Sequence, residues 1–166
     1  MIDKVLWMDD IATWSMSQLP IKDIFGVMES HPPLSYIMLK FWVFLFGDGA
    51  FAMMMMSIVF AILCIPLAKR LMELSFPKNR KWYMPLLIFN GYFIYHTLSV
   101  RGYTMALFFS LLAILAWKEK SEGIAVISYC LAVMTHYFAV VIIIVPLIKR
   151  AWFWLYGLVW MFPYFI

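Results

Sequence analysis

Two adjacent carboxylates, Asp9 and Asp10, stand near the start of the chain in "WMDDIATW". A histidine followed by two prolines, His31-Pro32-Pro33, opens an apolar run. Arg101 and Tyr103 head a later one in "SVRGYTM", and His136 and Tyr137 sit inside "VMTHYFAV". A carboxylate can take the proton of a hydroxyl nucleophile, and an arginine can clamp a phosphate through paired hydrogen bonds. A base and a phosphate clamp beside a lipid phase are the equipment for moving a group from a phospholipid-like donor. Each residue also has an ordinary reading. The acids suit a solvated face or a helix cap, and His31 suits a rigid turn. Arg101 suits an interfacial anchor, and His136, like His96, suits a packed histidine.

The elements that must position these residues are hydrophobic. Of 166 residues, 66% are hydrophobic and 19% aromatic, with a mean hydropathy of +0.89. A water-soluble domain of this size cannot hide so much apolar surface, so the expected fold is all-α, a polytopic transmembrane helical bundle. The net charge of +4 then encodes orientation and asks for no nucleic acid. Cys64 and Cys130 lie within apolar runs, which argues against a disulfide or a metal site. Five stretches are candidates for the membrane: Gly49 to Ala68, Trp82 to Leu98, Tyr103 to Trp117, Gly123 to Leu147 and Ala151 to Ile166.

Basic clusters at 69–70, 78–81, 118–120 and 149–150 are expected on the cytoplasmic side. The fourth stretch is flanked by two of them and must cross an even number of times. Two limbs of roughly 12 residues reach only ~18 Å each, short of the ~30 Å hydrocarbon core. The favoured expectation is a shallow hairpin lifting His136 and Tyr137 towards the outer face; the alternative is one tilted crossing. Pro33 to Phe46 is short and carries Lys40, as an interfacial helix would, with the lysine snorkelling to headgroups. Pro at its first turn is well tolerated. Residues 1–48 then form an outer-face loop with juxtamembrane helices, and 49–166 hold the transmembrane helices of a single domain. On this topology Asp9, Asp10, His31, Arg101 and His136 share one level. Ionisable groups are costly beside hydrocarbon, so several at one depth imply a polar cleft.

These residues carry a resemblance. "WMDDIATWSM", "HPPLSYIMLKFWVFLFGDG", "SVRGYTM" and "LAVMTHYFAVVII" resemble, in order and spacing, the N-terminal half of membrane glycosyltransferases with the C-type fold. The nearest branch holds protein mannosyltransferase-like and lipopolysaccharide-core sugar transferases. The likeness covers roughly residues 7 to 148. It implies a polyprenyl- or dolichyl-phosphate-linked sugar as donor, and a hydroxyl of a glycolipid, polysaccharide or protein as acceptor, on the outer face. By the same resemblance Asp9 is the catalytic base, Asp10 orients the acceptor or supports the base, and His31 positions the interfacial helix. The family's Arg-x-Tyr falls on Arg101 and Tyr103, the arginine meeting the donor phosphate; His136 and Tyr137, lifted by the expected hairpin tip, join them as substrate-side residues. Ser99 stands where relatives often carry an acid, and Met54 where they often carry a further arginine. Some relatives use a divalent metal; two aspartates are too few ligands to assign one.

The resemblance also implies a fragment lacking a first helix. Two other readings remain open: a piece of a transporter or lipid flippase, which would use His96 and His136 as pathway residues, and a non-catalytic remnant packed in a membrane complex.

Overall fold

The computed structural model describes residues 6–26, 32–75, 85 and 87–143. His31, the basic clusters at 78–81 and 149–150, the start of the run at Trp82, the end of the proposed hairpin and the stretch from Ala151 lie outside them. Every regular element among the described residues is helical, as the composition requires.

α1 spans Met8–Gln18, with Asp9 and Asp10 in its first turn, where carboxylates complement the helix dipole. Its C-cap Leu19 is extended, the conformation that the following Pro20 imposes. A short α2 follows at Ile21–Gly26. α3, Pro33–Phe46, starts on its proline and stops at Gly47, whose φ of 85° is left-handed and whose N–H bonds Val43 O at 2.8 Å. Glycine adopts that conformation without steric cost.

α4, Ala50–Ser75, runs past Lys69 and Arg70. Charges there end the apolar stretch without ending the helix, which also carries Pro66 in its interior and lacks that residue's N–H. α5, Gly91–Thr97, is capped by Asn90, whose Oδ1 accepts from the N–H groups of Tyr92 and Phe93. α6 is Tyr103–Lys118 and α7 is Glu122–Thr135. α7 stops at His136, which is extended, before a 3-10 helix at Tyr137–Ile143. The stretch expected to fold back thus breaks at "THY".

Three contacts fix the register of α4 against α6. Ser57 Oγ donates to Ser99 O at 2.6 Å, Cys64 Sγ lies 3.7 Å from Thr104 O, and Arg70 Nε bonds Glu119 Oε1 at 3.0 Å. The two helices therefore run in the same direction, and α7 returns along α6. Alanines at 113, 116, 125 and 132 let those two helices approach closely around buried Tyr129, as small residues do between helices in lipid. A second core joins Leu39 of α3, Met53, Met54 and Met56 of α4, and Val100. The methionine run is packing material.

Lys40 departs from expectation. Its Nζ donates to the carbonyls of Ser17, Gln18 and Leu19 at 3.2, 3.2 and 3.0 Å. An ammonium at a helix C-terminus satisfies orphan carbonyls and opposes the dipole, so this lysine fastens α1 to α3.

Among the described residues one helix, α4, is long and apolar enough to cross a membrane. Its 26 residues extend about 39 Å, its most apolar window has a mean hydropathy of 2.4, and only 33% of that window is buried. That exposure suits lipid better than a soluble core. α3, α6 and α7 are apolar but have 14, 16 and 14 residues, about 21–24 Å.

Gly102 sits where three elements converge. A Cβ there would lie 2.8 Å from Ser35 Cβ and 3.1 Å from Thr135 Cγ2. Gly102→Val is expected to lower stability by about 1–3 kcal/mol through overpacking, read as an earlier unfolding midpoint in detergent, whereas Gly123→Ala, which meets open space within a helix, is expected to hold or raise it by up to about 1 kcal/mol.

Candidate functional site

The site is built on the loop 98–102. Ser57 Oγ reaches Ser99 O and, at 3.3 Å, Arg101 O from one side. From the other side Asp10 Oδ1 accepts the Val100 N–H at 2.9 Å. Two elements distant in sequence thus grip consecutive peptides, and Arg101 and Tyr103 leave the loop in fixed directions.

Asp9 and Asp10 are successive residues on a helix, so they face different ways. Asp10 is 1% exposed; beyond its bond to Val100, its Oδ2 is buried with no hydrogen-bond partner. The side chain of Asp9 is 70% exposed and ion-paired with Arg101, whose own side chain is 19% exposed. The pair is a contact between α1 and the loop before α6. Arg101 also donates from a terminal guanidinium nitrogen to Tyr103 Oη at 3.3 Å, with its Cζ 5.8 Å from the Tyr103 ring centroid, a cation–π arrangement.

Tyr103 begins a row of rings. His96 of α5 lies 4.2 Å from it and His136 lies 4.9 Å away, centroid to centroid, and Phe138 extends the row beyond His136 at 5.4 Å. These rings line one side of a cleft of about 700 Å³ that descends between α5 and α6 past Phe93, Leu107, Leu111 and Ile114. Its walls are largely apolar, with Asn90 and Ser110 among the polar exceptions. A second pocket of about 250 Å³ lies beside Arg101, lined by Trp7, Asp10, Tyr95, Leu98, Ser99 and Arg101.

The structure therefore brings Asp9, Asp10, Arg101, Tyr103 and His136 to one end of the helices. Tyr137 departs from the cleft and packs against the α6–α7 core. His31 lies outside the described residues; the chain just after it, at Ser35, abuts Gly102. Lys69, Arg70, Lys118 and Lys120 gather at the opposite end, where Arg70 pairs with Glu119. Among the described residues no group of three His, Cys, Asp or Glu side chains is placed to hold a metal.

Sequence reasoning set His96 aside as a packing residue. It lines the cleft, and both its ring nitrogens are shielded from solvent without hydrogen-bond partners. The signal was available in the Tyr-x-x-Tyr-His spacing, which places Tyr92, Tyr95 and His96 on adjoining turns.

Asp10→Ala is expected to cost about 1–3 kcal/mol, because the buried Val100 N–H loses its acceptor. Asp10→Asn retains a carbonyl oxygen and is expected to restore most of that loss. Thermal unfolding followed by near-UV circular dichroism in detergent compares the two; equal destabilisation would show that the Val100 bond contributes nothing.

Comparison with protein-family models, with curated proteins and with solved structures finds no match for this chain.

Proposed function

We propose that this chain is part of a membrane glycosyltransferase that moves a sugar from a polyprenyl- or dolichyl-phosphate donor to a hydroxyl acceptor. The observation that carries the reading is the meeting of Asp9 and Arg101, from sequence-distant elements, with Arg101 bonded to Tyr103, which lines the apolar cleft. A carboxylate and a guanidinium at one level, with an apolar slot beside them, match a donor that has a charged head and a hydrocarbon tail.

In this mechanism the donor phosphate takes over the Arg101 guanidinium, which suits phosphate as well as carboxylate. Tyr103 Oη, already bonded to Arg101, keeps the guanidinium plane turned towards it. Asp9, released, accepts the proton of the acceptor hydroxyl. The acceptor oxygen forms its bond to the anomeric carbon as the bond from that carbon to the phosphate oxygen breaks. The electron pair leaves with the lipid phosphate, and the anomeric configuration inverts. A phosphate leaving group stabilised by Arg101 needs no second carboxylic acid, in contrast to the paired carboxyls of glycosidases.

The reading extends to a polytopic arrangement with the site end on the outer face and the lysine-rich end in the cytoplasm, following the positive-inside rule. α3 supports an interfacial position, because Phe41, Phe44, Leu45 and Phe46 of its second half are exposed.

The test is sugar transfer from a radiolabelled prenyl-phosphate donor in proteoliposomes holding the chain. Asp9→Asn is expected to lower kcat by about 10²–10⁴-fold, the usual contribution of a general base, with the donor KM little changed. Arg101→Lys, which loses the planar fork, is expected to raise the donor KM. Transfer that survives Asp9→Asn contradicts the assignment, and movement of donor across the bilayer without bond cleavage favours a transporter.

A further inference from the structure

The 250 Å³ pocket beside Arg101 has a feature that its framework does not explain. Asp10, at its wall, spends one carboxylate oxygen on Val100 and keeps the other buried with no partner. A tether to the loop needs one acceptor atom, which an asparagine or a serine could supply. The second oxygen is a hydrogen-bond acceptor awaiting a donor.

The rest of the lining is specific in kind. Trp7, at the N-cap of α1, is 64% exposed, and Tyr95 of α5 is 50% exposed. Both residues line the pocket. Ser99 is already committed, donating to His96 O at 3.0 Å. Arg101 lines it too, its guanidinium already engaged with Asp9 and Tyr103 and keeping further N–H groups. Exposed aromatic rings, a carboxylate acceptor and a guanidinium donor around a small space suit a ring with an apolar C–H face and hydroxyls at its edge. The volume equals that of about eight liquid waters at ~30 Å³ each, room for one such ring.

From this arrangement we infer that the pocket is a binding subsite for a single hexose ring, with a ring hydroxyl donating to Asp10 Oδ2. The inference rests on the transferase reading for its meaning: the occupant is the acceptor, and the acceptor is a sugar hydroxyl rather than the serine or threonine of a protein. Arg101 lines this pocket and is ion-paired with Asp9, so the base of the transferase reading lies next to the pocket rather than in its wall.

Binding is measured without any lipid donor, by saturation-transfer NMR on the full chain in nanodiscs. The probes are the methyl α-pyranosides of mannose, glucose and galactose, and N-acetylserinamide. At least one hexoside is expected to bind, and N-acetylserinamide is not. Asp10→Asn keeps an acceptor for Val100 and is expected to weaken hexoside binding at least tenfold; Trp7→Ala, at an exposed position, does the same without touching the tether. An octyl glycoside binding more tightly than its methyl counterpart assigns the ring to a glycolipid, and equal binding assigns it to a soluble or polymeric saccharide. The inference is overturned if no hexoside binds, if N-acetylserinamide binds as well as the hexosides, or if both variants bind as the parent does. Because no donor is present, failure of sugar transfer leaves this result standing, and failure here leaves the transferase reading to its own assay.

Discussion

The arrangement depends on one hydrogen bond from a buried carboxylate to a backbone amide 90 positions away in the chain, Asp10 Oδ1 to Val100 N–H. Burying a carboxylate is costly unless its oxygens find donors, so this bond is where the helix of the acids and the loop of the arginine must stay together. Ser57 holds the same loop from α4. Opposed grips on consecutive peptides leave the loop little freedom, and Arg101 is presented to Asp9 as a consequence.

The rest of the molecule supports that junction. Lys40 ties the end of α1 to α3, so the acidic helix cannot swing away from the bundle. Gly102 lets the start of α3 and the end of α7 close in around the loop, while the alanine seam between α6 and α7 sets the spacing of Tyr103 and His136. Lys69, Arg70, Lys118 and Lys120 collect at the far end of the same helices, where Arg70 pairs with Glu119. A helix long and apolar enough to cross a membrane joins the two ends.

Much of this was legible in the residues. Proline at 33 and glycine at 47 bound α3 where the sequence placed it, and the apolar run from Tyr103 became α6 almost residue for residue. The break at His136 falls where the sequence places the tip of a shallow hairpin, and the end of the return limb lies outside the described residues. What the sequence hid were contacts between distant segments. Lys40 looked like a headgroup anchor because nothing local announces three carbonyls from another helix. Asp9 and Asp10 read in the sequence as one acidic pair at a common site, yet neighbouring positions on a helix point roughly 100° apart, so Asp10 is buried against the loop and Asp9 lies on the open side. His96 and Tyr137 exchanged expectations for a similar reason: which aromatic residue faces a cleft is decided by the rotation of a helix about its axis, and short apolar helices give little periodicity to read.

The central claim is that the acidic end of α1 and the loop at Arg101 form one site. Thiol cross-linking tests it directly in native membranes, with Cys64 and Cys130 replaced by alanine. A short bifunctional maleimide should join Asp9→Cys to Arg101→Cys in high yield and fail to join Asp9→Cys to Glu119→Cys at the opposite end. Efficient linkage of the second pair, or none of the first while each thiol remains singly reactive, would contradict the account.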